Sequence, residues 1–396
     1  MTPARTADEA RLIEHLMLAG WGKDLRTAPE AARRSAEETL ERWMREGLPF
    51  ARLPDGRHAF DPAEVMNFAK SAGVEGRDDF WAARYVQTGR ALIRELGTSP
   101  AKLEPRRIAI RLERAFNLEH VAPGTPARLR VPFPAEVPTI RELRSTLLPA
   151  GARVRPGFVE IVTAVTEDEP LVSVAYEFVA HPSIESEIAT LDANEAEMYL
   201  QAGSSPRISA LATELAASAR TPLDAVRAFW NFFFERLMLG VLHDRQTPDD
   251  VLESGWFDCR LGSELLVALC RARGIPARSC SGFTLYSVPF YHFWAEVWVD
   301  RRGWFPIDLT CWDLSLRGTD SEWRDYFFGA LDYRMTVEVL PQTFTGFPSL
   351  QLPHRWYALS RPLESGAAFA IYASDTGKRV YEDRVVASVK AGPFLP

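Results

Sequence analysis

The chain has 396 residues and a formal net charge of −7, from 46 Lys plus Arg against 53 Asp plus Glu. Hydrophobic residues at 46% and charged residues at 25% mark an ordinary globular protein of two to three domains, at roughly 150 residues each, and exclude a disordered or fibrous chain. The acidic balance also argues against nucleic acid as a partner, because a phosphate backbone demands a basic footprint.

Residues 1–30 carry Asp8, Glu9, Glu14 and Asp24 and no long apolar run, so no signal peptide is expected. The longest apolar runs elsewhere, such as 229–234, are too short to span a bilayer. A cytoplasmic protein with no membrane partner is the expectation. The first hundred residues read as helices, over 9–19, from the cap at Thr27 with Pro29 and Glu30 to Gly47, over 62–72 and over 79–96. From about Arg106 the apolar period falls to two, with Ile108, Ile110 and Leu112, then Val159 and Ile161, then Val172, Val174, Tyr176 and Phe178. Residues 183–195 read as a linker or short helix. Helices follow over 206–218 and, from the cap at Thr221-Pro222-Leu223-Asp224, to Gly240. Four segments result: a helical region (1–100), a β-rich module (101–185), a core (186–345) and a C-terminal extension with strands (346–396).

The chemistry concentrates in 255–310. Cys259 precedes a run in which Leu261, Leu265, Leu266, Leu269 and Cys270 recur at helical spacing, closed by Gly274 and Pro276. A first-turn cysteine meets the positive end of the helix dipole, which favours a thiolate, and backbone N–H groups there can hold an oxyanion. Cys270 reads as a small buried hydrophobe. The four cysteines, Cys259, Cys270, Cys280 and Cys311, form no Cys-x-x-Cys pair and have no His at metal-ligand spacing, so zinc and structural disulfides are not expected.

Two strands are expected next, over 277–285 and 291–300, the second joined by a turn to 303–310. His292 opens this hairpin and Asp308 lies on its second arm. A nucleophilic thiol needs a base for its proton, and the base needs a carboxylate to fix its tautomer. Register complicates that assignment. A two-residue turn at Arg301 and Arg302 pairs residues whose numbers sum to 603 and puts His292 and Asp308 on opposite faces. A bulge or an odd-length loop is then required, and the residue types alone leave His292 readable as a packed strand-end residue.

The segments FDCRLGSELLVALCRARGIPARSCSGF (257–283) and YHFWAEVWVDRRGWFPIDLT (291–310) resemble the core of the transglutaminase-like superfamily. That pattern is a Cys opening an LLxALxRAxGIPAR helix, a glycine-containing strand, H-x-W-x-E-V-W and G-W-x-P-x-D. The resemblance implies an α+β fold with a papain-like core, in which a helix carrying the cysteine packs on an antiparallel sheet carrying the His and Asp. It covers about 207–313, and the helical region and β-rich module precede it. It also implies that Cys259 is the nucleophile, His292 the base and Asp308 its orienter. The thiol would form a thioester from an amide or carboxamide and pass the acyl group to an amine or water, with a small-molecule or peptide amide as substrate and no cofactor. A peptidase or deamidase of proteins, or a non-catalytic binding module on the same fold, are the alternatives.

This chain departs from the pattern in having Gly255, not a nearer glycine, before the cysteine, with Trp256 between them. Gln246 and His243 are candidates for the side-chain oxyanion donor of the family, although either is more often a plain surface residue. Asp249 and Asp250 lack the spacing of a calcium loop and read as a helix cap, so no metal is expected. Aromatic residues crowd the histidine hairpin, at least half of them for packing. Tyr286, Phe290 and Tyr291, with Trp294 and Trp256, are the candidates to wall an acyl pocket.

Overall fold

The computed structural model describes residues 7–10, 12–13, 29–60, 65, 68, 108–119, 122–132, 140–155, 158–164, 171–180, 190–201, 205–239, 247–284, 290–300, 302–310, 326–329, 334–340, 356–363, 366–373 and 379–389. In chain order, β1 (Ala7–Asp8), β2 (Ala51–Arg52) and β3 (His58–Phe60) form a small sheet of order β1-β3-β2, and α1 (Pro29–Arg45) lies between the first two. The N-terminal region therefore carries strands as well as the expected helix. Pro29 sits in the first turn of α1, where its missing N–H costs nothing, and Ala36, Leu40 and Trp43 form a buried stripe at helical spacing. The helices expected over 9–19, 62–72 and 79–96 lie wholly or largely outside the described residues.

The β-rich module contributes β4 (Ile108–Asn117), β5 (Pro126–Pro132), β6 (Ile140–Leu147), β7 (Arg153–Arg155), β8 (Phe158–Ala164) and β9 (Leu171–Ala180). Next come α2 (Ala193–Leu200), α3 (Pro206–Leu215), α4 (Pro222–Arg236), β10 (Met238–Leu239), α5 (Pro248–Ser254), β11 (Trp256–Phe257) and α6 (Cys259–Ala272). The chain continues through β12 (Ala277–Thr284), β13 (Phe290–Val299), β14 (Gly303–Ile307), β15 (Arg334–Leu340), β16 (Trp356–Leu363), β17 (Gly366–Ala373) and β18 (Arg379–Val389). Among the described residues no helix is long and apolar enough to cross a membrane.

The chain divides into two compact units. The first comprises 1–100, 190–277 and 294–329, and the second 101–189, 278–293 and 330–396. In the first unit short caps set the helices. Thr221 and Asp224 form a reciprocal capping box on α4, as the sequence predicts, and on α5 the Asp250 carboxylate accepts from the Thr247 amide at 2.8 Å and from its hydroxyl at 2.9 Å. Helix α4 ends at Arg236, short of Gly240, because the backbone turns into the two-residue strand β10, which pairs in parallel with β11. Its Phe229, Trp230 and Phe233 are buried.

The second unit holds a six-stranded antiparallel sheet of order β16-β17-β18-β4-β9-β6 and a three-stranded sheet β5-β8-β7. Strand β4 alternates as expected, with Ile108, Ile110, Leu112 and Phe116 inward. Arg114 occupies the next inward position of the same series and is itself buried. The C-terminal strands are part of this sheet, since β18 pairs with β4 from Tyr381↔Phe116 to Val389↔Ile108. The remaining sheet has the order β14-β13-β12-β15, and the division between the units runs through β13, after Phe293. Where β12 meets β15 the register shifts at Ser281 and Gly282. A Cβ on Gly282 would stand 1.8 Å from the Met335 carbonyl oxygen, so only glycine fits the strand there.

Candidate active site

Cys259 is the first residue of α6, and Asp258 caps that helix by accepting a hydrogen bond from the Leu261 amide at 2.7 Å. The cysteine thus stands at the positive end of a 14-residue helix, with half-buried access to solvent. Cys270 and Cys280 are fully buried, and burial pushes the Cys270 thiol far above the ordinary range. Cys311 lies outside the described residues. One turn after the nucleophile candidate, Gly262 brings the helix close to its neighbours. A Cβ there would meet Phe257 Cδ2 at 2.7 Å and Leu309 Cδ1 at 3.5 Å. The residue after Asp308 therefore packs against the first turns of α6, and this glycine is a device the sequence reading did not pick out. Its position three residues after the cysteine, on the same helical face, was the available signal.

On the flank of α6, Glu264 pairs with Arg260 one turn back at 3.3 Å. Burial pushes the Glu264 carboxyl up to about 6 against the pull of Arg260, and the Asp258 carboxylate adds to the rise.

The hairpin register resolves the parity question. Strands β13 and β14 pair from Ala295↔Ile307 to Val299↔Gly303, so partner numbers sum to 602 and the loop is three residues, 300–302. The Arg302 amide donates to the Val299 carbonyl at 3.0 Å, and Gly303 takes φ 79° to return the chain. An odd loop puts even-numbered residues of both arms on one face. Trp294 and Glu296 have that parity and are buried, as does His292 further along β13, which is 1% exposed. Asp308 follows directly after β14, is fully buried, and donates its amide to the Phe327 carbonyl at 3.0 Å.

Of the proposed pocket residues, Tyr291 has odd parity. Its ring packs against Phe283 and Phe293 with centroids at 5.2 and 5.6 Å, and its hydroxyl donates to Ser281 Oγ at 3.0 Å. It is a core residue of the second unit on the opposite face of β13 from His292, because a strand alternates its side chains. Tyr286, Gln246 and His243 lie outside the described residues, as do the side chains of Phe290 and Trp256. Among the described residues no cluster of His, Cys, Asp and Glu is arranged to hold a metal ion.

Residues 209–309, from α3 to the residue after Asp308, match the transglutaminase-like superfamily. The chain carries a transglutaminase-like domain. Its fold is the expected mixture of helix and antiparallel sheet, with α6 opening on the cysteine. Three solved structures are similar to it at low identity. One is a candidate cysteine protease from Cytophaga hutchinsonii, at 14% identity, with 74% of this chain and 94% of that chain covered and a TM-score of 0.46. Another is the periplasmic domain of TgpA from Pseudomonas aeruginosa, at 18% identity, with 56% and 91% covered and a TM-score of 0.34. A candidate protease from Parabacteroides distasonis follows at 9% identity, with 71% and 69% covered and a TM-score of 0.25. No curated protein sequence matches the chain.

Proposed function

We propose that the transglutaminase-like domain is a thiol enzyme acting on an amide or carboxamide through Cys259. His292 takes the thiol proton and returns it to the leaving amine, while Asp308 fixes the imidazole tautomer and stabilises its charged form. The carbonyl carbon forms a thioester with Sγ as the C–N bond breaks, and an amine or water then resolves the thioester. The substrate is a small-molecule or peptide amide, and a reducing compartment such as the cytoplasm suits a free nucleophilic thiol. The observation that carries this reading is the position of Cys259, half-exposed at the first residue of a capped 14-residue helix, while Cys270 and Cys280 are buried. That position lowers a thiol's pKa and leaves it accessible, the two conditions for reactivity.

Brief iodoacetamide treatment at neutral pH followed by peptide mapping tests it. Cys259 should label first, and the His292→Ala variant should label it more slowly. Preferential labelling of Cys270, Cys280 or Cys311 would sink the assignment. Intact mass of an acyl species on Cys259, chased with an amine or with water alone, distinguishes transfer from hydrolysis.

A further inference from the structure

The triad chemistry uses neither the buried arginine nor the buried carboxyls of the second unit. Arg114 on β4 and Asp383 on β18 are both fully buried. Arg114 Nε donates to Asp383 Oδ1 at 3.0 Å and to the Tyr381 hydroxyl at 3.0 Å, Nη2 donates to Asp383 Oδ2 at 3.3 Å, and the Tyr381 hydroxyl donates to Asp383 Oδ1 at 2.6 Å. Burial alone would lower the pKa of Arg114, but Asp383, Tyr381 and Glu338 outweigh it and keep the guanidinium charged. Glu338 on β15 is the second carboxyl of the cluster, with Arg114 Nη1 3.6 Å from its Oε1. One cation thus faces two acids. Asp383 has the close contacts, whereas Glu338, 2% exposed, is held only loosely, by Arg114 and by the Ser281 hydroxyl.

A buried carboxyl held by such weak donors is driven toward its protonated form. Burial pushes Glu338 up to about 7, against the pull of Arg114 and of the Ser281 hydroxyl and with the Asp383 carboxylate adding to the rise. Glu338 stands directly opposite Ser281 in the β12–β15 register, and Ser281 accepts the hydrogen bond of Tyr291, the residue before His292. The other titratable or charged neighbours are Tyr176 on β9, which feels Arg114 and Asp383, and Glu382 on β18, which is held by Arg379 and Arg384.

We infer that Glu338 is a positioning residue for His292: its carboxyl, acting through the Ser281 hydroxyl and the Tyr291 phenol, sets how firmly the strand segment carrying the imidazole is held. The inference rests on His292 being the base of the proposed triad. Ser281 has one hydroxyl proton. When Glu338 is ionised that proton is drawn toward the carboxylate, which strengthens Ser281 as the acceptor for Tyr291 and tightens β13 beside His292. When Glu338 is protonated the pull disappears, and the phenol is held only by Ser281 and its packing.

The test is an NMR pH titration of the His292 ring in the full chain, assigned with the His292→Ala variant, alongside the rate of Cys259 alkylation. The wild type should show, besides the imidazole's own titration, a second inflection near pH 7 that is lost in Glu338→Gln and in Tyr291→Phe. Both variants should alkylate Cys259 about tenfold more slowly at pH 8, within the roughly 100-fold that a misplaced catalytic group can cost. An inflection that persists in Glu338→Gln, or a wild type without one, overturns the inference. If Glu338→Gln does not fold, Tyr291→Phe and Ser281→Ala decide alone, since each breaks the same chain while leaving the ion pair of Arg114 and Asp383 in place. Failure of the triad reading has a different signature, namely Cys259 alkylation unchanged in His292→Ala while the second inflection is still present and still lost in Glu338→Gln.

Discussion

The start of helix α6 and the ionic cluster of the second unit are both built from buried or half-buried polar groups, yet they are assembled in opposite ways. Around Cys259 the work is local: Asp258 caps the helix three residues before its bonding partner Leu261, and Gly262 opens space one turn on. The cluster draws Arg114, Ser281, Tyr291, Glu338 and Asp383 from five strands, and the Arg114 to Asp383 bond spans 269 residues. A helix terminus supplies its own electrostatics through aligned peptide dipoles, so a few neighbouring residues suffice to tune a thiol. A buried cation has no such local source of compensation and must be met by groups that only folding brings near.

The sharpest way to break this contrast is Arg114→Met. Removing the cation leaves two buried carboxyls uncompensated, and the folded state should lose about 3–5 kcal/mol, read from urea unfolding. Adding Asp383→Asn should restore part of the loss. A loss below about 1 kcal/mol would show that the cluster is as dispensable as a surface pair.

Asp308→Asn probes the other region. Its expected cost is roughly 10- to 10³-fold in turnover or in Cys259 alkylation, less than the ~10⁴ seen when the orienting Asp of a serine triad is changed, because a thiolate–imidazolium pair depends less on its third member. Unfolding free energy should change far less. Full activity in a normally folded variant would assign the orienting role to another residue.

Glu338→Gln separates the two regions by pH. The folded chain holds the Glu338 proton up to about 7, against an ordinary 4.5, so the stability it contributes is complete below pH 4.5 and is lost as pH rises through 7. The variant, which cannot ionise, should therefore gain on the wild type by about 1–3 kcal/mol between those limits. Parallel stability curves for the two proteins across that window would show that Glu338 does not titrate within it.

Gly262→Ala should have the smallest effect. The new Cβ would stand 2.7 Å from Phe257 Cδ2, and such overpacking costs about 1–3 kcal/mol, offset by about 1 kcal/mol of helix propensity. A net loss near 1 kcal/mol with a measurable drop in Cys259 alkylation would tie the seating of Leu309, and so of Asp308, to the chemistry. An unchanged alkylation rate would make Gly262 a packing residue only.

Motifs whose signal is contiguous were legible in the sequence: the capping box of α4, the start of α6 at Cys259, the buried Cys270, strands β12, β13 and β14, and the superfamily match over 209–309. Caps, dipoles and periodicity act over a few residues, so the chain states them in its own order. The parity of His292 and Asp308 depended on one residue of loop length, which the three-residue turn at 300–302 decided by returning the chain through the positive φ of Gly303. Tyr291 looked like a pocket wall because its neighbours are aromatic, but strand alternation turned it toward Ser281. Arg114 continued the inward series of Ile108, Ile110 and Leu112, and nothing nearby in the sequence announced that a charge belonged there. Its compensation comes from Asp383, Tyr381 and Glu338, placed by the pairing of β18 with β4 and of β15 with β12. Local hydrogen bonding and periodicity fix what a segment is, whereas the burial of a charge is decided by which distant segments close over it, and that choice belongs to the tertiary structure.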